Sequence, residues 1–266
     1  MIYDLQKASL MKRFSAFLLD FILFVILFTG SMLIFHQVTG YNDFADSLTD
    51  RKTEIEAKYD IPEIEEKYKV NPASFQLMAE EERSKLPSDV LDKLIKCTNE
   101  LNNDEEYLKL LLIMVNLILV IVSLSLLLPH LVLEFIVPLI FKNGQTLGKK
   151  VFGIAVMKTD AVKINTLTLF IRTVLGKYTI GTMVPLLMVF MLLFGTGVII
   201  PIAVILLVLV LQVVMLVTTK TNSLLHDVLS STVVVDFQSQ MIFDSVEAKK
   251  EYQLRIHNEE ADKANN

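Results

Sequence analysis

The sequence predicts an all-α polytopic membrane protein with about four transmembrane helices, a helical outer domain and a short cytoplasmic β-hairpin. Three observations predict it. The chain is 53% hydrophobic with a mean hydropathy of +0.51, too apolar for an ordinary soluble domain of 266 residues. Its charges are gathered into blocks, leaving uncharged runs long enough for helices that need about 20 residues to cross a bilayer core of about 30 Å. The blocks also alternate in sign, and under the positive-inside rule that alternation sets a topology.

Residues 1–36 are read as a cytoplasmic N-terminus and the first transmembrane helix. Lys7, Lys12 and Arg13 outweigh Asp4 before the apolar run from Phe14 to Phe35, so the N-terminus is expected inside. A signal peptide is the first alternative. Asp20 interrupts the apolar core and no Ala-x-Ala-like site follows, so the segment is expected to remain as a helix. Arg13, Ala16 and Asp20 fall at i, i+3 and i+7 and share one helix face. A carboxylate inside such a helix needs a partner, a cavity or water. The face therefore suits either a functional site or a structural pairing.

Residues 37–108 carry 9 Lys and Arg against 18 Asp and Glu and are predicted as an acidic, helical, extracytoplasmic domain. Asn71-Pro72 and Pro87-Ser88 mark helix starts, with Ser88 the expected N-cap. Val90, Leu91, Leu94, Ile95 and Leu101 form an apolar stripe at helical spacing. Glu80-Glu81-Glu82 is read as a solvated face rather than a cation site, because consecutive acids point around a helix.

Residues 109–141 are read as the second transmembrane helix, with Pro129 expected to kink or break it and one helix or two both open. His130, Glu134 and Pro138 follow at spacings of four and share a face. Asp20 and Glu134 then lie at similar depths, about 10 Å below the cytoplasmic edge at about 1.5 Å per residue. That arrangement suits a proton or cation relay. If the span instead ends near Leu128, Glu134 sits in the interface and needs no special role.

Residues 142–178 are the basic cytoplasmic loop, in which seven Lys and Arg oppose Asp160 alone. Asn143 to Lys150 resembles a phosphate loop but fails as one. Three residues separate Gly144 from Gly148, and Lys150 stands where a magnesium-binding hydroxyl belongs. Val151 to Ile164, interrupted at Thr159-Asp160, predicts a local hairpin, and residues 165–178 an amphipathic interfacial helix bearing Arg172 and Lys177. Residues 179–217 belong to 42 uncharged residues and predict a transmembrane hairpin of helices 179–194 and 198–217, broken at Gly195-Thr196-Gly197. Residues 218–266 are the cytoplasmic C-terminal tail, with His226-Asp227 near its start.

Together these pieces resemble the RDD family of bacterial and archaeal membrane proteins. The matching residues are Arg13, Ala16 and Asp20 in the first helix, then Gly144, Thr146, Gly148 and Lys149, then Gly153-Ile154-x-Val156. Arg172 matches an arginine of the following helix, and His226, Asp227, Thr232 and Val234 complete the order. The resemblance covers residues 8–36 and 108–236. Two features depart from the family pattern: the long outer segment, and Leu229-Ser230-Ser231 in place of the usual Ala-Gly.

The resemblance implies a family without an established activity, for which transport is the expected role. It also implies a cytoplasmic-side charge network that serves transport or locks the helices together. The expected function is ion or small-solute transport, with cation–proton exchange as a specific form and Asp20 and Glu134 as carriers tuned by Arg13. The alternative is a membrane anchor or accessory subunit that binds a partner through the outer domain. The network expected to serve either role is Arg13, Asp20, His130, Glu134, Arg172, His226 and Asp227, with Gly144, Thr146, Gly148 and Lys149 as the cytoplasmic motif. No enzyme chemistry, cofactor, metal or nucleic acid is expected: Cys97 is alone, and the basic segment has a topological explanation. The expected partners are the lipid bilayer, a second copy of the chain or another membrane protein. The expected location is the cell membrane, multi-pass, with both termini cytoplasmic.

Overall fold

The structure, a computed structural model, describes residues 5–195 and 197–265; Asp4 of the basic flank, Thr196 of the predicted break and Asn266 of the tail lie outside them. The chain divides into two compact units, Met1–Ser31 with Ser125–Asn266, and Met32–Leu124. Four helices are long and apolar enough to cross a membrane: α1 (Leu10–Val38), α7 (Glu105–Phe141), α9 (Thr166–Leu193) and α10 (Ile199–Thr218). Their apolar side chains are largely exposed, as lipid-facing residues must be.

Within the second unit, α2 (Tyr41–Ala57), α3 (Ile61–Tyr68), α4 (Pro72–Leu77), α5 (Glu80–Arg83) and α6 (Ser88–Asn103) close around their own core. Ile55, Leu94 and Cys97 are fully buried there. α4 starts at the predicted Asn71-Pro72 signal, and Asn71 is its cap, its side chain accepting from Ser74 N–H at 2.9 Å. Ser88 is the first helical residue rather than the cap, a place taken by Pro87. Of the predicted stripe, Val90, Leu94 and Leu101 are buried and Leu91 packs beside them, but Ile95 is 42% exposed. Ile95 lies one residue beyond Leu94, about 100° around the helix, and so leaves the core. Arg51 holds Asp104 through Nη2 at 2.5 Å, and that hydrogen bond keeps the Asp104 carboxyl at about 2.

In the first unit, α7 takes the one-helix alternative and runs through Pro129 from Glu105 to Phe141. The helix widens over His130–Ile136, where Val137 N–H reaches back five residues to Val132 O. Such widened turns are one way a helix accommodates a disruption of its hydrogen-bond ladder. The interfacial helix and the next span are one element: α9 runs unbroken from Thr166 to Leu193, widened over Ile171–Met183. Arg172 and Lys177 are tolerated inside it because each meets a carboxylate. The break before α10 falls where predicted, with Gly195 and Gly197 at φ +66 and +136.

The local hairpin is corrected as well. β1 (Ile154–Lys158) pairs antiparallel with β2 (Thr232–Asp236), in a register that sets Ile154 opposite Asp236 and Lys158 opposite Thr232. The residues after Asp160 contribute isolated bridges instead, Lys163 to Met157 and Val162 to Phe243. Alternation explains the preference for the distant partner. Ala155 and Met157 face a cluster with Val233, Val235 and Phe243, while Ile154 and Val156 face Ala8, Ala16 and Val234. A sheet buried on both faces needs uninterrupted apolar strands, and Thr232 to Val235 supplies one. Ala8 N–H extends the sheet edge by donating to Val234 O at 3.3 Å. Short helices α8 (Leu147–Val151) and α11 (Leu225–Leu229) flank the sheet, and α12 (Val246–Asn265) follows it.

A candidate site in a buried charge network

The Gly144–Lys149 segment is built to present one turn of helix to α1. Gly144 sits at φ +67, and a Cβ there would lie 2.7 Å from Val156 O, so the turn requires glycine. Thr146 is the N-cap of α8, its hydroxyl oxygen accepting from Lys149 N–H at 3.3 Å. That hydroxyl in turn donates to Asp20 Oδ2 at 2.5 Å, and Gly148 N–H donates to Asp20 Oδ1 at 2.7 Å. Asp20 is 8% exposed and stands at the N-terminal end of α8, where a negative charge is favoured. Gly148 permits the approach: a Cβ there would lie 2.2 Å from Ala16 O.

Arg13 and Asp20 share the face the sequence assigns them but do not meet as a pair. Arg13 points towards the chain after α10. Its Nη1 donates to Asn222 O at 2.7 Å and its Nη2 stands 3.7 Å from Asp227 Oδ2. Asp227, 1% exposed, is the centre of the network. Arg172 Nη1 lies 2.5 Å from its Oδ1 and also donates to Thr232 Oγ1 at 2.8 Å. Leu224 N–H donates to Asp227 Oδ2 at 3.2 Å. Burial alone would raise the Asp227 carboxyl, but Arg172, His226, the Leu224 amide and Arg13 outweigh it and hold it at about 2. His226 Nε2 comes within 3.7 Å of Asp227 Oδ2 although the residues are adjacent. Burial dominates that ring and pushes it down to about 3, which keeps it neutral.

Glu134 lies inside α7 and is bridged by two lysines, Lys177 Nζ at 2.6 Å from Oε1 and Lys149 Nζ at 3.8 Å from Oε2. Its backbone carbonyl accepts from Thr173 Oγ1 at 2.9 Å, which ties α9 to α7. His130 lies deeper. Its Nδ1 is 2.8 Å from Leu126 O, and its ring meets Phe24 and Tyr178 edge-on at 4.8 and 5.7 Å. Six of the seven predicted charged or polar positions thus fall in two groups, Arg13, Arg172 and His226 around Asp227, and Asp20 and Glu134 joined through Thr146 and Lys149, rather than around an Arg13–Asp20 pair; His130 packs among aromatic rings apart from both.

Sequence reasoning left out Lys177, whose charge reads as part of a basic loop, and Gly176, where a Cβ would lie 2.5 Å from His226 Cβ. The signal for Lys177 is its spacing of five from Arg172, which is one turn only in a widened helix.

Two cavities of about 380 and 370 Å³ open in this unit, sharing walls of Phe17, Asp20, Glu134, Lys177, Leu224 and His226. The first reaches Arg13, Lys149, Arg172 and Asp227, and the second reaches Phe24, His130, Thr182 and Gln212. No curated protein and no solved structure matches the chain. The model of the RDD family matches residues 7–231, a span holding α1, the Gly144–Lys149 turn and both halves of the Arg13–Asp227 contact, and the chain belongs to that family of membrane proteins.

Proposed function

We propose that this protein transports an ion or small solute across the cell membrane in exchange with, or together with, protons, with both termini on the cytoplasmic side. One observation carries the reading: the two adjoining cavities, walled by intramembrane charge, extend along α1 from Arg13 to Phe24. At about 1.5 Å per residue that is about 16 Å, half of a hydrocarbon core of about 30 Å. Charged and ionisable residues inside a bilayer are costly, and those that face a cavity favour a transfer path over lipid contact. The charge of the preceding and following loops favours the cytoplasmic side for this end.

In this reading the carboxylates of Asp20 and Glu134 hold the path in shape, since their oxygens already accept from Thr146 and Gly148 or pair with Lys177 and Lys149. The test is a pH-sensitive dye trapped in proteoliposomes, with Na+, K+ and Cl− gradients imposed in turn. Wild-type protein is expected to move protons under at least one gradient, and Glu134→Gln to lower the rate at least about tenfold while staying folded. Proton movement no faster than in protein-free vesicles under all three gradients overturns the proposal.

A second reading has its own support. The Met32–Leu124 unit closes a separate core of its own, which favours a distinct role for this part, such as binding a partner. Deleting residues 42–105 should leave proton flux intact if the two roles are separate.

A further inference from the structure

We propose that Lys149 is the proton carrier of this path, its Nζ exchanging a proton with water in the cavity that Arg13, Glu134 and Arg172 help to wall. The inference rests on the transport reading and names the residue that performs its central step. It starts from a count of charge. Among the described residues, the lining of the first cavity holds Arg13, Lys149, Arg172 and Lys177 against Asp20, Glu134 and Asp227. One cation is therefore in surplus where the surroundings are poor in solvent, and an unbalanced buried charge is disfavoured. Release of one proton removes the surplus.

The geometry selects the residue that releases it. Arg13 and Arg172 are guanidinium groups and stay protonated. Lys177 is held to Glu134 at 2.6 Å. Lys149 is held least: its Nζ donates to Thr146 Oγ1 at 3.2 Å and stands 3.8 Å from Glu134 Oε2, with the side chain 11% exposed. The charged groups that face it come from three helices: Glu134 from α7, Lys177 and Arg172 from α9, and Asp20 from α1. Burial is the largest influence on it. Glu134 and Asp20 oppose that influence, Lys177 and Arg172 add to it, and the ammonium is pushed down to about 8. The other groups of the cluster outside the spans do not change state near neutral pH, His226 at about 3 and Asp227 at about 2.

The step is balanced. One N–H bond of the ammonium breaks, the proton passes to cavity water, and the electron pair stays on Nζ as a lone pair. Glu134 keeps Lys177 as its counter-charge throughout. Reprotonation reverses each change. A cavity of about 380 Å³ with several polar partners has room for the water this requires.

Two measurements test the assignment. The first is competitive acylation of the purified protein across pH, read by mass spectrometry at Lys149. A midpoint near 8 is expected, and a midpoint near the ordinary lysine value of 10.5 overturns the proposal whatever the protein transports. The second is the dye assay on Lys149→Arg, which keeps the positive charge but cannot release it, beside Lys149→Gln. Both variants are expected to lose proton movement at least about tenfold, with wild-type thermal unfolding retained in Lys149→Arg. Wild-type flux together with undiminished flux in Lys149→Arg overturns Lys149 and leaves the transport reading standing. Absence of flux in the wild type overturns both.

Discussion

Asp227→Ala is expected to remove about 3–5 kcal/mol from the folding of the first unit, enough to abolish recovery of monodisperse protein in detergent. The size of the effect comes from what is left behind. Arg172, 3% exposed, loses its carboxylate partner at 2.5 Å and keeps only Thr232 Oγ1, so a buried guanidinium is stranded. Arg13 loses its contact at 3.7 Å and retains the Asn222 carbonyl, and the Leu224 amide loses its acceptor. Thermal unfolding of Asp227→Ala beside Asp227→Asn separates the causes. Asparagine keeps the acceptor for Leu224 but not the charge, so it should fall between wild type and alanine.

The same carboxyl gives a pH dependence whose sign is fixed. Its folded value of about 2 lies below the ordinary 3.8. Its contribution is therefore full above about 3.8 and is lost as the pH falls through about 2.

Gly148→Ala is the second large effect. The added Cβ would lie 2.2 Å from the backbone oxygen of Ala16 and 2.9 Å from Asp20 Cγ. A backbone oxygen inside a helix cannot swing aside, so α8 must withdraw from α1. Overpacking of this kind costs about 1–3 kcal/mol, and loss of the two hydrogen bonds to the Asp20 carboxylate adds about 1.5–3 kcal/mol for each. The variant should unfold at markedly lower temperature than Asp20→Asn, which keeps an acceptor for Gly148. Equal unfolding temperatures for the two variants would show that the contact carries no packing strain.

Much of this was legible in the residues, for identifiable reasons. The spans announce themselves through uncharged length, and the helix start at Asn71-Pro72 and the Gly195 break follow from local chemistry that acts within a few residues. What escaped is long-range. Val151 to Ile164 carries its own turn, so a local hairpin is the natural reading; only the second buried face of β1 demands the run at Thr232–Val235, some seventy residues on. Arg172 and Lys177 read as interfacial because charges belong outside a bilayer unless paired, and their partners, Asp227 and Glu134, come from distant elements. The Arg13–Asp20 face is legible as a face; its occupants divide between Asp227 and the Thr146–Gly148 turn because a carboxylate at a helix N-terminus has better partners there than a guanidinium.

The proposed transport path requires a water-filled cavity that enters the membrane from the cytoplasmic side. Thiol accessibility of Thr182→Cys, at the deep end beside His130, tests it directly. Native Cys97 is the internal control: it is fully buried, and burial pushes its thiol up to about 11, so the unsubstituted chain should not label. With a membrane-impermeant reagent and sealed vesicles of each orientation, the account predicts labelling of Thr182→Cys from the cytoplasmic side. Labelling from neither side, or from the opposite side alone, would contradict it.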